Sequence, residues 1–233
     1  MNERTRIKLL LVICFAVLSS TAFMPRKTFS GNDASRSVEE CLPLAEQGDA
    51  DAQFDLGFMY YNGQGVPQDC KESIKWYRKA AEQGDAEAQY RLGMMYLGGK
   101  GCPQDYKEAL KWFHKAIEQG VSHAQFFLGA MYSAGQGVPQ DYTEALKWFR
   151  KAAEQGDSDA QNILGAIYSA GKGVPQDYVE SYAWFNISAA QGEKDASKAR
   201  ERDVVAKKLS PEALAKAQEL SKEYYKKYVE PFQ

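Results

Sequence analysis

The sequence predicts an all-α solenoid built from four helix-turn-helix repeats of 36 residues. Leu-Gly pairs begin at residues 56, 92, 128 and 164, a constant spacing of 36. Four tryptophans keep the same spacing, at Trp76, Trp112, Trp148 and Trp184. A fixed period of about 20 to 50 residues is typical of solenoids, in which each unit buries its apolar face by stacking on its neighbours.

The first helix of each repeat is predicted from its apolar spacing. In the first repeat, Gly48 suits the end of a preceding helix and Asp49 can cap the next helix. That helix then runs from about Ala50 to Tyr61. Its apolar side chains follow i, i+4, i+7 and i+8, one face of a helix: Ala52, Leu56, Met59 and Tyr60.

A glycine recurs in the middle of every first helix, at Gly57, Gly93, Gly129 and Gly165. Glycine inside a helix costs about 1 kcal/mol relative to alanine. Its return at one position in four repeats predicts that another backbone crosses there too closely for a side chain.

The second helix is predicted to begin after a Gly- and Pro-containing loop. Asp69 opens it, and Glu72 three residues later indicates a capping box. The pair returns as Asp105/Glu108, Asp141/Glu144 and Asp177/Glu180. Trp76 and Tyr77 recur as an aromatic pair, which favours a place in the core over a cofactor platform.

Residues 1–22 are predicted to be a signal peptide. Basic residues precede an apolar run from Leu9 to Leu18, and the small-x-small pattern of Ser20-Thr21-Ala22 follows. The run is shorter than the roughly 20 residues that a membrane-spanning helix needs, although an uncleaved anchor remains the alternative. Residues 23–34 then form a flexible linker.

The repeated strings resemble the Sel-one-like repeat family, a relative of tetratricopeptide repeats. The strings are Ala-x-Ala-Gln-x-x-Leu-Gly-x-x-Tyr and Gly-x-Gly-Val-Pro-Gln-Asp-Tyr-x-Glu-Ala-x-x-Trp. The resemblance covers 49–192 as four units: 49–84, 85–120, 121–156 and 157–192. Residues 35–48 resemble the second half of an incomplete leading repeat, where Pro43 is expected to interrupt the helix.

The resemblance implies a right-handed superhelix that serves as an adaptor for protein assembly. Exported bacterial members are thought to act in envelope functions or in contacts with host proteins. Activity against β-lactams has been proposed for some cysteine-rich relatives, but their regularly spaced cysteines are absent from this sequence. A cell-wall or β-lactam-directed hydrolase is therefore only an alternative to an adaptor.

One stripe of the first helices differs from repeat to repeat, and we call it the first-helix stripe. It consists of positions 51, 54, 58 and 61 and their equivalents 36, 72 and 108 residues later. By resemblance to tetratricopeptide units, it lines a concave groove. Its large side chains concentrate in the early repeats and are the predicted binding residues: Phe54, Phe58, Tyr61, Tyr90, Met94, Leu97 and Phe126. They fit an apolar or amphipathic peptide, unless neighbouring helices bury them.

The second helices carry a charged outer face that changes in the last repeat. Lys75, Arg78 and Lys79 indicate a solvated face, whereas the last repeat has an apolar stripe at Ala183, Ile187 and Ala190. Residues 193–233 are expected to cover this stripe with two capping helices, from about Ala196 to Lys208 and from Ser210 to about Tyr228.

Three cysteines follow the predicted signal peptide: Cys41, Cys70 and Cys102. The stacking register of adjacent repeats permits a Cys70–Cys102 disulfide, and the alternative is that each is a small buried apolar residue. No Cys/His spacing for a metal site is present in the sequence.

The sequence predicts a binding protein, not an enzyme. The two histidines, His114 and His123, occupy positions that are charged and exposed in other repeats, and no catalytic motif or cofactor site is recognisable. The net charge of −2 gives no basic field for nucleic acid. We therefore expect a monomeric, periplasmic or secreted scaffold that binds a protein or peptide, without a cofactor and without a membrane after signal removal.

We predict that the exported protein begins near Phe23, because a short apolar run followed by a small-x-small site is cleaved. Intact-mass measurement of exported protein tests this. Retention of residues 1–22 would favour an anchor instead.

Overall fold

The computed structural model describes residues 36–191 and 196–232, and the regular secondary structure within them is entirely helical. The predicted signal peptide and linker, 1–22 and 23–34, lie outside the described residues. The helices are α1 (Val38–Glu46), α2 (Ala50–Asn62), α3 (Cys70–Glu82), α4 (Ala86–Gly98), α5 (Tyr106–Glu118), α6 (Ser122–Ala134), α7 (Tyr142–Glu154), α8 (Ser158–Ala170), α9 (Tyr178–Gln191), α10 (Ala196–Ala206), α11 (Pro211–Tyr228) and a short 3-10 helix (Glu230–Phe232). The prediction of an all-α fold of 36-residue helix pairs is confirmed.

The chain divides into two compact units, and the boundary between Ala124 and Gln125 falls in the first turn of α6. In the first unit, α1 to α5 pack in chain order, each on the next. In the second unit, α8 packs against α7 and α9, and α9 packs against α10 and α11. Each unit therefore has the consecutive stacking that a solenoid requires.

The repeated mid-helix glycines all lie against an aromatic ring, and the close backbone that the sequence predicted is present only at Gly129, where a Cβ would also lie 3.2 Å from the carbonyl oxygen of Ala145. A Cβ at Gly57 would lie 2.6 Å from Cδ1 of Tyr77, and one at Gly93 would lie 2.7 Å from Cε1 of Phe113. Phe149 and Phe185 meet Gly129 and Gly165 in the same way. The helix pair can approach this closely because the second helix places its ring where the first helix has no side chain.

The aspartates cap the second helices as predicted, but the capping box is only half formed. Asp69 Oδ1 accepts from the backbone N–H groups of Lys71 and Glu72, at 2.9 and 3.1 Å. The N–H of Asp69 itself donates to the carbonyl of Tyr60, at 2.9 Å, so Glu72 is left to pair with Lys75. The aspartate N–H therefore ties the start of the second helix to the end of the first.

A glutamine in each loop binds the end of the first helix. In the first repeat, Gln68 Nε2 donates to the carbonyl of Tyr61 at 2.7 Å. The same bond recurs in each repeat, as Gln104 to Leu97, Gln140 to Ser133 and Gln176 to Ser169. Each satisfies a carbonyl at a helix end, which has no partner within its own helix.

A second pair of glutamines joins neighbouring helix pairs. Gln53 donates to the carbonyl of Ala45 at 2.9 Å, and its own Oε1 accepts from Gln83 at 2.8 Å. We call this arrangement the glutamine clasp. It returns as Gln119 to Gln89 and as Gln191 to Gln161.

The leading helix α1 continues through Pro43, so the expected interruption there is wrong. Ser37 and Glu40 form a full capping box at its N-terminus, which stabilises the first turn. Cys41 and Ala45 are buried against α2. Capping and burial thus outweigh the hydrogen bond that the proline removes.

The two C-terminal helices pack on α9, as the capping prediction expects. The Trp184 ring lies 4.7 Å from that of Tyr224 and 5.8 Å from that of Tyr228. Ala183 and Ile187 are fully buried, whereas Ala190 is exposed, so the expected cover over Ala190 is wrong. The first capping helix ends at Ala206 and the second at Tyr228.

We predict that Gly93→Ala destabilises the protein by about 1–3 kcal/mol, because the added methyl overpacks the contact with Phe113. Gly98→Ala is the matched control in the same helix, since a Cβ there meets only the Lys100 side chain, at 3.7 Å. The control should be neutral or stabilising by up to about 1 kcal/mol. Equal effects in urea unfolding would contradict the ring-on-glycine contact.

We predict that deleting residues 193–233 exposes Trp184 and Ile187 and causes aggregation or a less cooperative melt. Calorimetry and light scattering measure both properties. A truncated chain that stays monomeric and melts like the full chain would refute the capping role.

Candidate protein-binding surface

The structure separates the predicted binding residues into two groups. Four are buried, with at most 9% of their surface exposed: Phe54, Tyr90, Leu97 and Phe126. Three are half-buried and keep accessible area: Phe58, Tyr61 and Met94. All three of these lie on α2 and α4 within the first unit.

Ring contacts account for the buried group. Phe54 lies 5.4 Å from Tyr77, measured between ring centroids. Tyr90 lies 6.2 Å from both Phe113 and His123. Phe54 and Tyr90 thus pack on Tyr77 and Phe113, the same rings that contact the mid-helix glycines.

Phe126 belongs to the second unit and has a separate environment. Its ring lies 5.3 Å from Phe127 and 5.6 Å from Phe149. With only 4% of its surface exposed, Phe126 packs as a core residue.

A lysine from the next loop covers one end of the half-buried group. Lys100 Nζ donates to the Tyr61 hydroxyl at 2.8 Å and lies 5.4 Å from the centre of its ring. The phenol edge of Tyr61 is therefore polar, while its ring remains an apolar surface.

Two ion pairs flank the apolar side chains. Arg91 Nε lies 2.7 Å from Oε1 of Glu87, and the guanidinium lies 5.4 Å from the centre of the Tyr90 ring. Arg36 lies 3.9 Å from Asp55 on the neighbouring helix. These pairs place charges of both signs around the half-buried residues.

Tyr77 lies beneath this region with its hydroxyl fully buried. The oxygen has no hydrogen-bond partner among the described residues. Burial raises the pKa of Tyr77 well above its usual value, and nearby Arg91 opposes the shift. A buried hydroxyl without a partner costs about 1–3 kcal/mol.

Sequence reasoning placed Tyr77 in the core but missed its buried hydroxyl, and it missed Arg91 and Lys100. Tyr77 stands where the other repeats have phenylalanine, and Arg91 stands where they have Asp55, Phe127 and Ile163. A systematic search for departures from the repeat would have found Tyr77, whereas the Arg91 position differs in every repeat and gives no such signal. Lys100 has a counterpart in Lys172, so only the structure connects it with Tyr61.

The outer face of the second helices is solvated, as predicted. Lys75, Arg78 and Lys79 are exposed, and Lys75, Lys111 and Lys147 pair with glutamates three residues earlier. His114 and His123 are exposed as well. Within 36–191 and 196–232, no group of three or more His, Cys, Asp or Glu could hold a metal ion.

The Sel1 repeat model matches four consecutive segments, 50–85, 86–121, 122–157 and 158–193. The chain belongs to the Sel1 repeat family. The matched segments begin one residue after the repeat boundaries expected from the sequence. Proteins with Sel1 repeats are generally scaffolds for protein interactions.

Two solved structures illustrate the likeness to other Sel1 repeat proteins. A Sel1 repeat protein from Oxalobacter formigenes is 33% identical with a TM-score of 0.66, over 79% of this chain and 75% of that one. A protective antigen present in uropathogenic Escherichia coli strains is 33% identical with a TM-score of 0.54, over 86% of this chain. This chain spans only 50% of the length of the antigen. No curated protein matches the chain.

Among the helices of the described residues, none has both the length and the apolar composition that a membrane span requires. That finding concerns 36–191 and 196–232 alone.

We predict that Tyr77→Phe stabilises the protein by about 1 kcal/mol, because it removes a buried hydroxyl without a partner. The folded-state pKa of Tyr77 is raised, so the stability linked to it is present at neutral pH and is lost as pH rises above about 10, the pKa of an unfolded tyrosine. Urea unfolding between pH 8 and about 11 should show a smaller alkaline loss for Tyr77→Phe than for the original chain. A destabilised variant would show that the hydroxyl has a favourable partner.

Proposed function

We propose that this Sel1 repeat protein is an exported, non-catalytic scaffold that binds a protein or peptide on the first-helix stripe of its first two repeats. The observation that carries the proposal is the accessible area of Phe58, Tyr61 and Met94. Later repeats have only small residues at these positions: Ala130, Ser133, Ala166 and Ser169. Large accessible apolar groups on the stripe are thus confined to two neighbouring repeats.

The surroundings of these side chains support a protein ligand. Protein interfaces combine a few apolar or aromatic anchors with a polar, hydrated rim. Phe58 and Met94 supply anchors, while exposed Lys100 on the Tyr61 hydroxyl and Glu87, with 28% of its side-chain surface exposed, supply rim groups of both charges. The matching ligand is a segment with one apolar face, such as an amphipathic helix, and not a strongly charged polymer.

The buried members of the stripe have a supporting role in this proposal. Phe54 and Tyr90 pack on Tyr77 and Phe113, so they hold α2 and α4 on their second helices. A partner would contact the residues beside them. The binding surface is therefore smaller than the seven residues that the sequence predicted.

We propose a periplasmic or secreted location, reached after cleavage of residues 1–22. The N-terminal sequence supports export. The similar Escherichia coli protein is a protective antigen, which is consistent with exposure outside the cytoplasm and favours a host protein as the alternative partner.

We predict that replacing Phe58 and Met94 together by serine weakens capture of the partner by more than about 1 kcal/mol, or more than about fivefold in affinity. The capture would use the exported protein as bait and an envelope extract as the source of partners. Leu44→Ser is the control, because Leu44 is 39% exposed and lies on α1, which contributes no position to the stripe.

Circular dichroism and melting must accompany the capture, since loss of fold would also abolish binding. Equal capture by the double variant and the Leu44 control would refute the site. A large loss of melting temperature would show that Phe58 and Met94 are core residues instead.

A further inference from the structure

Two cysteines in neighbouring repeats both depart from the repeat pattern. Cys70 is the first residue of α3, and Cys102 lies in the loop between α4 and α5. The other repeats have tyrosine at the first position and valine at the second: Tyr106, Tyr142, Tyr178, Val66, Val138 and Val174. Both are free thiols and half-buried, so neither the disulfide nor the fully buried residue considered from the sequence is present.

The two departures meet at one contact between the first and second repeats. A Cβ at Gly101 would lie 2.4 Å from the carbonyl oxygen of Cys70 and 2.7 Å from its Cβ. Cys102 follows Gly101 directly, and consecutive Cα atoms are about 3.8 Å apart. The Cα separation of a disulfide, about 4.4–6.8 Å, is therefore within reach of this pair.

The same contact in the second unit shows what the cysteines replace. A Cβ at Gly173 would lie 3.1 Å from Cβ of Tyr142, and Lys172 lies 5.3 Å from the centre of the Tyr142 ring. Cys70 has no ring to offer the equivalent lysine, and Lys100 donates to Tyr61 instead. The first repeat junction thus lacks the lysine–tyrosine contact and has two thiols in its place.

We propose that Cys70 and Cys102 form an intramolecular disulfide when the protein meets a disulfide oxidant such as glutathione disulfide, and that this bond staples the first repeat to the second. One cysteine thiolate attacks a sulfur of the oxidant, which releases one thiol and leaves a mixed disulfide. The second thiolate attacks the protein-bound sulfur and releases the other thiol. The protein loses two protons and two electrons, and the oxidant is reduced to two thiols.

Cys41 is a poor competitor for this reaction. It is fully buried on α1, and burial, followed by the charge of Asp55, raises the pKa of its thiol. Burial also raises the pKa of the Cys102 thiol, so what disfavours Cys41 is that its sulfur is inaccessible to the oxidant. Cys70 and Cys102 each retain accessible surface.

The staple would act on the loop that covers Tyr61. Lys100 lies two residues before Cys102, so a bond at Cys102 fixes the loop that holds the lysine on the Tyr61 hydroxyl. Closing the chain between 70 and 102 also restricts the unfolded state, which stabilises the fold. The disulfide itself does not depend on the proposed binding function.

The purified protein, incubated with glutathione disulfide, alkylated and digested, should yield a linked peptide containing Cys70 and Cys102. The intact mass should fall by about 2 Da without addition of glutathione. The melting temperature should rise by about 5–10 °C and return on reduction with dithiothreitol.

Cys102→Val and Cys70→Tyr are the controls, because each restores the residue of the other repeats. Both variants should keep their helical content and lose the linked peptide and the oxidant-dependent rise in melting temperature. Persistent mixed disulfides on both cysteines, a linkage to Cys41 or disulfide-joined dimers would overturn the proposal. A linked peptide without a rise in melting temperature would refute the staple.

Discussion

The contact between a ring on each second helix and a glycine on its first helix is the constraint on which the helix pairs depend. A Cβ at Gly57 or Gly165 would lie within 2.7 Å of ring carbon, so only glycine admits the ring at this distance. Because the helices are this close, Ser73 and Ser181 can donate to the carbonyls of Gly57 and Gly165, each at 2.7 Å. A bond to a mid-helix carbonyl fixes the crossing point of the pair.

Close helix pairs also place the groups that join one pair to the next. The glutamine clasp brings carboxamides 30 residues apart within 2.8 Å, inside a region where unpaired amides are costly. The clasp has no counterpart at Gln125, whose Oε1 is buried without a partner among the described residues. We therefore expect stability to differ between junctions, because the free energy of a repeat array depends on each neighbour interface.

The sequence predicted the helices well because spacing, caps and turn glycines are local signals. Gly48 has a φ of +99°, the left-handed conformation common after a helix C-terminus. Asp49 caps α2 by accepting from the N–H of Ala52. For Gly57, the predicted close backbone was wrong. A glycine in the middle of a helix indicates a close neighbour but does not indicate whether that neighbour is a ring or a backbone. The predicted capping box between Asp69 and Glu72 was wrong, because the N–H of Asp69 donates to the carbonyl of Tyr60. Residue spacing does not reveal this partner.

The candidate site was harder to predict, because a helical stripe gives the direction of a side chain but not how far its neighbours reach over it. Phe54 and Phe58 lie on the same stripe, yet Phe54 packs against Tyr77 and Phe58 keeps accessible area. The burial of Phe54 depends on a residue 23 positions later in the sequence. A departure from the repeat gives information that the stripe lacks, because Tyr77 replaces the phenylalanine of the other three repeats and its ring packs against Phe54. Recognition in such a protein is therefore best sought where a departure from the repeat coincides with accessible apolar area.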